Sequence, residues 1–133
     1  MGRPKSVLLV DDDDTTNFLN RFFLRQVDSS IEINSVVNGK EAIEFLALNG
    51  KDDIMPCLLI LDVHMPVMNG WQFLEAFEQK FDERFKKNVT IIMLTSLNVE
   101  QATIKAMAHS NVADTAEKPL SDLKLRALLK KHF

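Results

Sequence analysis

Residues 57–70 read CLLILDVHMPVMNG, an apolar run that stops at Asp62 and continues into a loop with the helix breakers Pro66 and Gly70. Short apolar runs of this kind are typical of strands that are buried on both faces of a parallel sheet. Three other runs also end at a polar residue: 7–10 at Asp11, 91–94 at Thr95, and a weaker stretch near Lys118. Together these runs predict a parallel sheet with polar residues at one edge.

Patterns with helical periodicity lie between these runs, so that strands and helices alternate along the chain. The strands are predicted over 6–10, 31–37, 57–62, 89–95 and 112–116. The helices are predicted over 14–27, 40–48, 71–81, 99–109 and 121–132, and 82–88 is predicted as a connection. Five βα units with right-handed crossovers give an α/β fold, a doubly wound parallel sheet with helices on both faces.

The first predicted helix carries large apolar residues at helical spacing, which we expect to form its packing face. They are Phe18, Leu19, Phe22, Phe23 and Val27. Either Asp13 or Asp14 is expected to cap this helix, because a short carboxylate accepts hydrogen bonds from the free N–H groups of the first turn. Trp71, at the start of the third helix, is likewise interpreted as a packing residue.

Length and composition are those of one globular domain, which we predict over residues 1–133. Apolar residues make up 46% of the chain, and the net charge of -3 gives no general attraction to nucleic acid or acidic lipid. The single cysteine, Cys57, excludes an internal disulfide, and no apolar stretch approaches the roughly 20 residues of a membrane span. We recognise no signal peptide and expect a cytoplasmic protein with neither a nucleic-acid nor a membrane partner.

The polar residues that follow the strands predict a binding site. In open α/β sheets, ligands bind beyond the carboxyl ends of the strands, so these side chains are expected to meet in one crevice. They are Asp11, Asp12, Asp62, Thr95 and Lys118. Clustered carboxylates repel one another unless a cation neutralises them, and Mg²⁺ prefers oxygen ligands and bridges to phosphate oxygens. The pattern therefore indicates a site for a divalent cation and a phosphoryl group.

Four motifs, each at the end of its own predicted strand, together resemble a known family. They are Val10-Asp11-Asp12-Asp13, Leu61-Asp62-Val63-His64-Met65-Pro66-Val67-Met68-Asn69-Gly70, Leu94-Thr95-Ser96 and Glu117-Lys118-Pro119-Leu120. With these motifs, nearly the whole chain resembles the receiver domain of two-component response regulators. The resemblance implies a flavodoxin-like strand order of 2-1-3-4-5.

The resemblance also implies a role for each residue of the site. Asp62 is implied as the nucleophile that accepts a phosphoryl group from a phosphohistidine. Asp12 and Asp62 are implied to bind Mg²⁺ directly, together with the backbone carbonyl of His64, while Asp11 acts mainly through water. Lys118 is expected to pair with Asp62 at rest and with the phosphoryl oxygens afterwards, and its peptide bond to the following proline is expected to be cis.

Thr95 is implied as the sensor, whose hydroxyl moves to bond the new phosphoryl group. The family couples this movement to an aromatic residue on the fifth strand, but Thr115 stands at that position here. Another residue must therefore report the change. The expected output surface is formed by the fourth predicted helix, the fifth strand and the fifth predicted helix.

The implied function is a phosphorylation-dependent signalling switch rather than a conventional enzyme, although it catalyses its own phosphorylation and dephosphorylation. Its expected partners are a histidine kinase or phosphotransfer protein and a downstream protein that the sequence does not identify. We expect a stand-alone receiver that is a monomer or a phosphorylation-dependent dimer.

Two alternatives remain open. Residues 11–15 also fit the Asp-x-Asp-x-Thr motif of haloacid-dehalogenase-type phosphatases, in which Asp11 is the nucleophile. Such enzymes need a late acidic motif for magnesium, and we find none. The second alternative is a pseudo-receiver, a binding module of the same fold that is never phosphorylated.

Overall fold

Five parallel strands form one sheet in the order β2-β1-β3-β4-β5. The strands are β1 (Ser6–Val10), β2 (Glu32–Val36), β3 (Cys57–Asp62), β4 (Val89–Thr95) and β5 (Val112–Glu117). The protein is represented by a computed structural model that describes residues 3–50, 53–95 and 100–133. Both the doubly wound architecture and the strand order predicted from the sequence are confirmed.

Six helices connect or follow the strands within the described residues. They are α1 (Asp14–Val27), α2 (Gly39–Asn49), α3 (Gly70–Lys80), α4 (Glu83–Lys87), α5 (Glu100–Met107) and α6 (Asp122–His132). Residues 82–88 connect α3 to β4 as predicted, but they contain the short helix α4, which the sequence pattern did not predict. Asp82 caps this short helix by accepting a hydrogen bond from the Phe85 N–H at 2.9 Å. Five residues are too few to show helical periodicity. The predicted fourth and fifth helices are thus α5 and α6.

The sheet has an apolar core on each face. On one face, alternate residues of the strands pack against α2, α3 and α5, with Leu46 and Phe73 fully buried. On the other face, the intervening strand residues pack against α1 and α6, with Leu24 and Leu125 fully buried. Burial on both faces explains why the central strands are continuous apolar runs. No helix of the described segments is both long and apolar enough to cross a bilayer.

The predicted packing face of α1 is wrong in part. Phe18, Leu19 and Phe22 are 67%, 42% and 51% exposed, and we call these three residues the α1 patch. The buried residues of α1 are Asn17, Asn20 and Leu24, so the helix is rotated relative to its most apolar stripe. The Asn17 side-chain amide donates a hydrogen bond to the Asp11 carbonyl at 2.9 Å. This bond satisfies a backbone oxygen just past β1, which an apolar residue cannot do.

The loop between β3 and α3 is tightly constrained. Gly70 starts α3, and a Cβ atom there would lie 2.6 Å from the Asp62 carbonyl oxygen, so only glycine fits. Val67 has φ of 69°, the only positive φ among the described non-glycine residues. The Met68 N–H donates to the Pro66 carbonyl at 2.7 Å across Val67. A turn of three residues with positive φ is rare and strained for a β-branched side chain.

Replacing Val67 with glycine should raise the free energy of unfolding by about 1 kcal/mol, because glycine adopts a positive φ without a Cβ clash. The Val67 side chain is 74% exposed, so the substitution removes little packing. Val37, an exposed valine after β2 without a positive φ, is the matched control. Val37→Gly should lower the stability, because it only adds freedom to the unfolded chain. Urea unfolding measures both changes, and a destabilised Val67→Gly would contradict the assigned strain.

Candidate functional site

The polar residues predicted to share a site lie together at the carboxyl edge of the sheet. Asp11 follows β1, Asp62 and Thr95 are the last residues of β3 and β4, and Lys118 follows β5. They line one open cavity of about 310 Å³. Its remaining lining residues are Asp12, Asp13, Thr16, Val63, His64 and Leu94. Residues as far apart in sequence as Asp11 and Lys118 thus converge, because all strands run in the same direction.

Three carboxylates and one ammonium group form the centre of the site. Lys118 Nζ lies 2.7 Å from Asp62 Oδ1 and 3.6 Å from Asp11 Oδ2. Carboxylate oxygens of Asp11, Asp12 and Asp62 lie within 4.8 Å of one another. Asp11 and Asp62 are only 3% and 5% exposed, whereas Asp12 faces solvent. The site therefore concentrates negative charge that a single lysine only partly balances.

Backbone N–H groups fix the direction of the two buried carboxylates. The N–H of Asp13 donates to Asp11 Oδ1 at 2.9 Å, and the N–H of Val63 donates to Asp62 Oδ1 at 2.9 Å. Asp13 itself caps α1, because its carboxylate accepts a hydrogen bond from the Thr16 N–H at 3.1 Å. Of the acidic residues after β1, Asp11 thus belongs to the site and Asp13 caps α1.

Burial raises the pKa of Asp11 above its ordinary value. The hydrogen bond from the Asp13 N–H lowers this pKa again in part, while the negative charge of Asp62 raises it further. For Lys118, burial lowers the pKa, but the hydrogen bond to Asp62 and the charge of Asp11 outweigh it and raise the pKa overall. Lys118 therefore stays protonated at neutral pH, while ionised Asp11 is held at a cost in free energy.

The donor set fits a hard divalent cation. Asp11 Oδ2 is buried and accepts no hydrogen bond in the described structure, since the Lys118 ammonium is 3.6 Å away. A buried carboxylate oxygen without a partner is costly, and a cation or its bound water would satisfy it. Mg²⁺ takes oxygen ligands and keeps several waters, which suits a site that combines one exposed and two buried carboxylates.

Thr95 and Lys118 are linked across the last two strands. The Thr95 hydroxyl donates to the Ala116 carbonyl at 3.4 Å, a long and weak hydrogen bond. The Lys118 N–H donates to the Thr95 carbonyl at 2.8 Å. The predicted cis peptide bond between Lys118 and Pro119 is confirmed. The neighbour of Thr95 in the predicted motif, Ser96, lies outside the described residues.

The exposed His64 side chain lies at the mouth of the cavity. Its backbone carbonyl as a metal ligand stays a prediction. Sequence reasoning missed Asn17, which holds the main chain of Asp11 through the hydrogen bond described above. An asparagine inside an amphipathic helix signals a buried polar contact only once the face of that helix is known.

A sequence profile of the family described as "Response regulator receiver domain" matches residues 7–130. The chain belongs to this family. The resemblance to receiver domains that the four motifs indicated is thereby confirmed. A two-component response regulator from Cytophaga hutchinsonii has a similar structure, with 33% identity to this receiver domain and a TM-score of 0.84. That match covers 98% of this chain and 97% of the other.

Two further proteins illustrate the range of relatives. The chemotaxis response regulator CheY4 of Vibrio cholerae is 25% identical to this receiver domain with a TM-score of 0.77, over 97% of this chain and 98% of the other. The probable C4-dicarboxylate response regulator DctR of Halalkalibacterium halodurans is 27% identical over 92% of this chain. The receiver domain spans 49% of the length of that curated relative.

Asp11→Asn should raise the free energy of unfolding by about 1 kcal/mol at pH 7 without Mg²⁺, because it removes a buried charge with an unsatisfied oxygen. Since the pKa of Asp11 is raised in the folded state, its ionised form destabilises the fold at neutral pH. That penalty is relieved as the pH falls through the folded-state pKa, so the advantage of the variant should shrink in acid.

Urea unfolding over a pH series measures this difference. Asp14→Asn, an exposed substitution in the first turn of α1, is the matched control and should show no such gain. An Asp11→Asn variant that is less stable than the wild type at pH 7 would contradict the electrostatic account of the site.

Proposed function

We propose that this receiver domain is a phosphorylation-dependent switch in which Asp62 accepts a phosphoryl group from a phosphohistidine. The donor is a histidine kinase or a phosphotransfer protein. One observation carries the proposal: Lys118 Nζ lies 2.7 Å from Asp62 Oδ1, beside a cluster of three carboxylates that suits a divalent cation. Such a pair of opposite charges beside a cation site is what transfer of a phosphoryl group requires.

The reaction replaces one bond to phosphorus by another. The Asp62 carboxylate attacks phosphorus, the bond from phosphorus to the histidine nitrogen breaks, and an acyl phosphate forms. Asp62 Oδ1 is held by Lys118 and the Val63 N–H, so we assign the attack to Oδ2. Asp12, Asp62 and the His64 carbonyl would hold Mg²⁺, with Asp11 acting through water, and the ion would supply charge neutralisation to the phosphoryl oxygens. Lys118 then pairs with a phosphoryl oxygen.

Thr95 is the proposed sensor of the new group. Its hydroxyl lies at the cavity and is held only by the weak 3.4 Å bond to the Ala116 carbonyl. A phosphoryl oxygen is a stronger, charged acceptor, so exchange of partners is favourable. The change is expected to reach a downstream protein at the surface of α5, β5 and α6, in a monomer or a phosphorylation-dependent dimer. Because its donor depends on ATP-driven kinases, we place the protein in the cytoplasm.

Phosphorylation of Asp62 is tested with acetyl phosphate and Mg²⁺ as a small-molecule donor. Intact-mass spectrometry should show one added phosphoryl group on the wild type and none on Asp62→Asn. Asp53→Asn, which changes another aspartate before β3, is the control that should still be labelled. Chelation of Mg²⁺ should slow the labelling of the wild type strongly, because the carboxylate cluster would then repel the anionic donor.

The same experiment separates the two alternatives. Labelling that persists in Asp62→Asn and disappears in Asp11→Asn would support a phosphatase-type nucleophile. The burial of Asp11 and its hydrogen bond from the Asp13 N–H disfavour that role. A wild-type protein that is not labelled by acetyl phosphate or by any phosphohistidine donor would support the pseudo-receiver. The complete set of site residues favours the switch.

We infer that the donor protein docks on the α1 patch. Leu19 of this patch lines a small cavity with Pro119, which adjoins the site cavity because both share Thr16 and Lys118. An exposed apolar surface beside a reactive site is typical of a protein interface. A phosphohistidine must enter the site cavity to reach Asp62, so its carrier has to cover the adjoining rim.

Phe22→Gln should slow phosphoryl transfer from a histidine kinase that phosphorylates the wild type by about tenfold, the effect of losing one interface anchor. Labelling by acetyl phosphate should stay unchanged, because a small donor needs no docking surface. Leu48→Gln, at an exposed leucine on α2, is the matched control and should leave transfer from both donors unchanged. Initial rates of transfer measure the effect. Equal losses with both donors, or none with the kinase, would contradict docking on α1.

A further inference from the structure

A contact between α3 and α5 involves the single tryptophan of the chain. The ring of Trp71, the second residue of α3, stacks with the His109 imidazole with centroids 6.0 Å apart and an interplanar angle of 27°. Lys105 Nζ lies 4.3 Å from the centroid of the Trp71 ring, within the range of a cation–π interaction. Lys105 belongs to α5 and His109 follows it. We call these three residues the Trp71 clamp.

The α3 side of the clamp is fixed to the phosphoacceptor. Gly70 donates its N–H to the Val63 carbonyl at 2.9 Å, and there is no room for a Cβ between it and the Asp62 carbonyl. Trp71 is the next residue, so the base of its side chain is positioned by the backbone that carries Asp62. α5, in contrast, follows the proposed sensor Thr95 along the chain.

We propose that the Trp71 clamp holds α5 in its resting position and couples α5 to the phosphorylation state of Asp62. This inference rests on the proposed function and names its regulation. The clamp takes the place of the aromatic coupling residue that the chain lacks at Thr115. The coupling between Asp62 and α5 therefore runs through α3 rather than through β5.

The clamp is formed in the unphosphorylated state, in which Lys118 pairs with Asp62. When the Thr95 hydroxyl turns to a phosphoryl oxygen, α5 is drawn along while α3 stays fixed, and the contacts of the Trp71 ring are lost. Contacts that exist only in the resting state oppose activation. By linkage, weakening them makes any ligand of the activated state bind more tightly.

Lys105→Ala tests the clamp, because alanine keeps the helix and removes both the ammonium group and the side chain that lie over the ring. The probe is beryllofluoride with Mg²⁺, which mimics the phosphoryl group. The half-saturating beryllofluoride concentration should fall roughly two- to fivefold, the equivalent of one exposed cation–π contact. Loss of a positive charge by itself would weaken the binding of an anion, so the expected change has the opposite sign to a simple charge effect.

Lys130→Ala, at an exposed lysine of α6 on the other face of the sheet, is the matched control, and the affinity for beryllofluoride should stay unchanged or fall slightly. Fluorescence of Trp71 gives a second readout in the wild type. The emission of Trp71 should change on beryllofluoride binding. Its ring should also become more accessible to quenching by acrylamide.

An unchanged or higher half-saturating concentration in Lys105→Ala would overturn the clamp while leaving the proposed function intact. Unchanged acrylamide quenching of the saturated wild type would also overturn it. A wild type that binds beryllofluoride no better than Asp62→Asn would overturn the proposed function and the clamp together.

Discussion

Two buried carboxylates and one lysine meet where separate parallel strands end, and this accumulation of charge constrains the surrounding structure. Lys118 balances Asp62 directly and Asp11 only at longer range, so part of the negative charge remains uncompensated. The fold holds this arrangement through apolar cores on both faces of the sheet and backbone N–H groups that aim the carboxylates. Concentrating buried charge in this way costs stability, and the carboxylates could hold a cation.

Several irregular features of the structure surround the site. Val67 keeps a strained backbone, and Gly70 brings α3 against the carbonyl of Asp62. The side-chain amide of Asn17 donates a hydrogen bond to the Asp11 carbonyl beside the site, while apolar residues of α1 face solvent. The strain at Val67 lowers the stability of the isolated domain, and Val67, Gly70 and Asn17 all lie around the edge of the sheet that carries the site.

Much of the fold could be predicted from the sequence, because its strands are apolar runs and its site residues follow them directly. Asp62 and Thr95 end strands, so their positions follow from the topology alone. The rotation of α1 could not be predicted, because it depends on a buried hydrogen bond from Asn17 rather than on periodicity. The contact of Trp71 with α5 joins helices that are distant in sequence. The extent of the domain over 1–133 and the roles of the site residues stay predictions.

The proposed mechanism depends on one cation that the carboxylates after β1 and β3 share beside Lys118. It is tested most directly by the anomalous difference map of a crystal soaked with Mn²⁺, which takes the same octahedral oxygen coordination as Mg²⁺. One strong peak is expected within bonding distance of carboxylate oxygens of Asp12 and Asp62. A peak elsewhere on the surface, with none at this edge of the sheet, would contradict it.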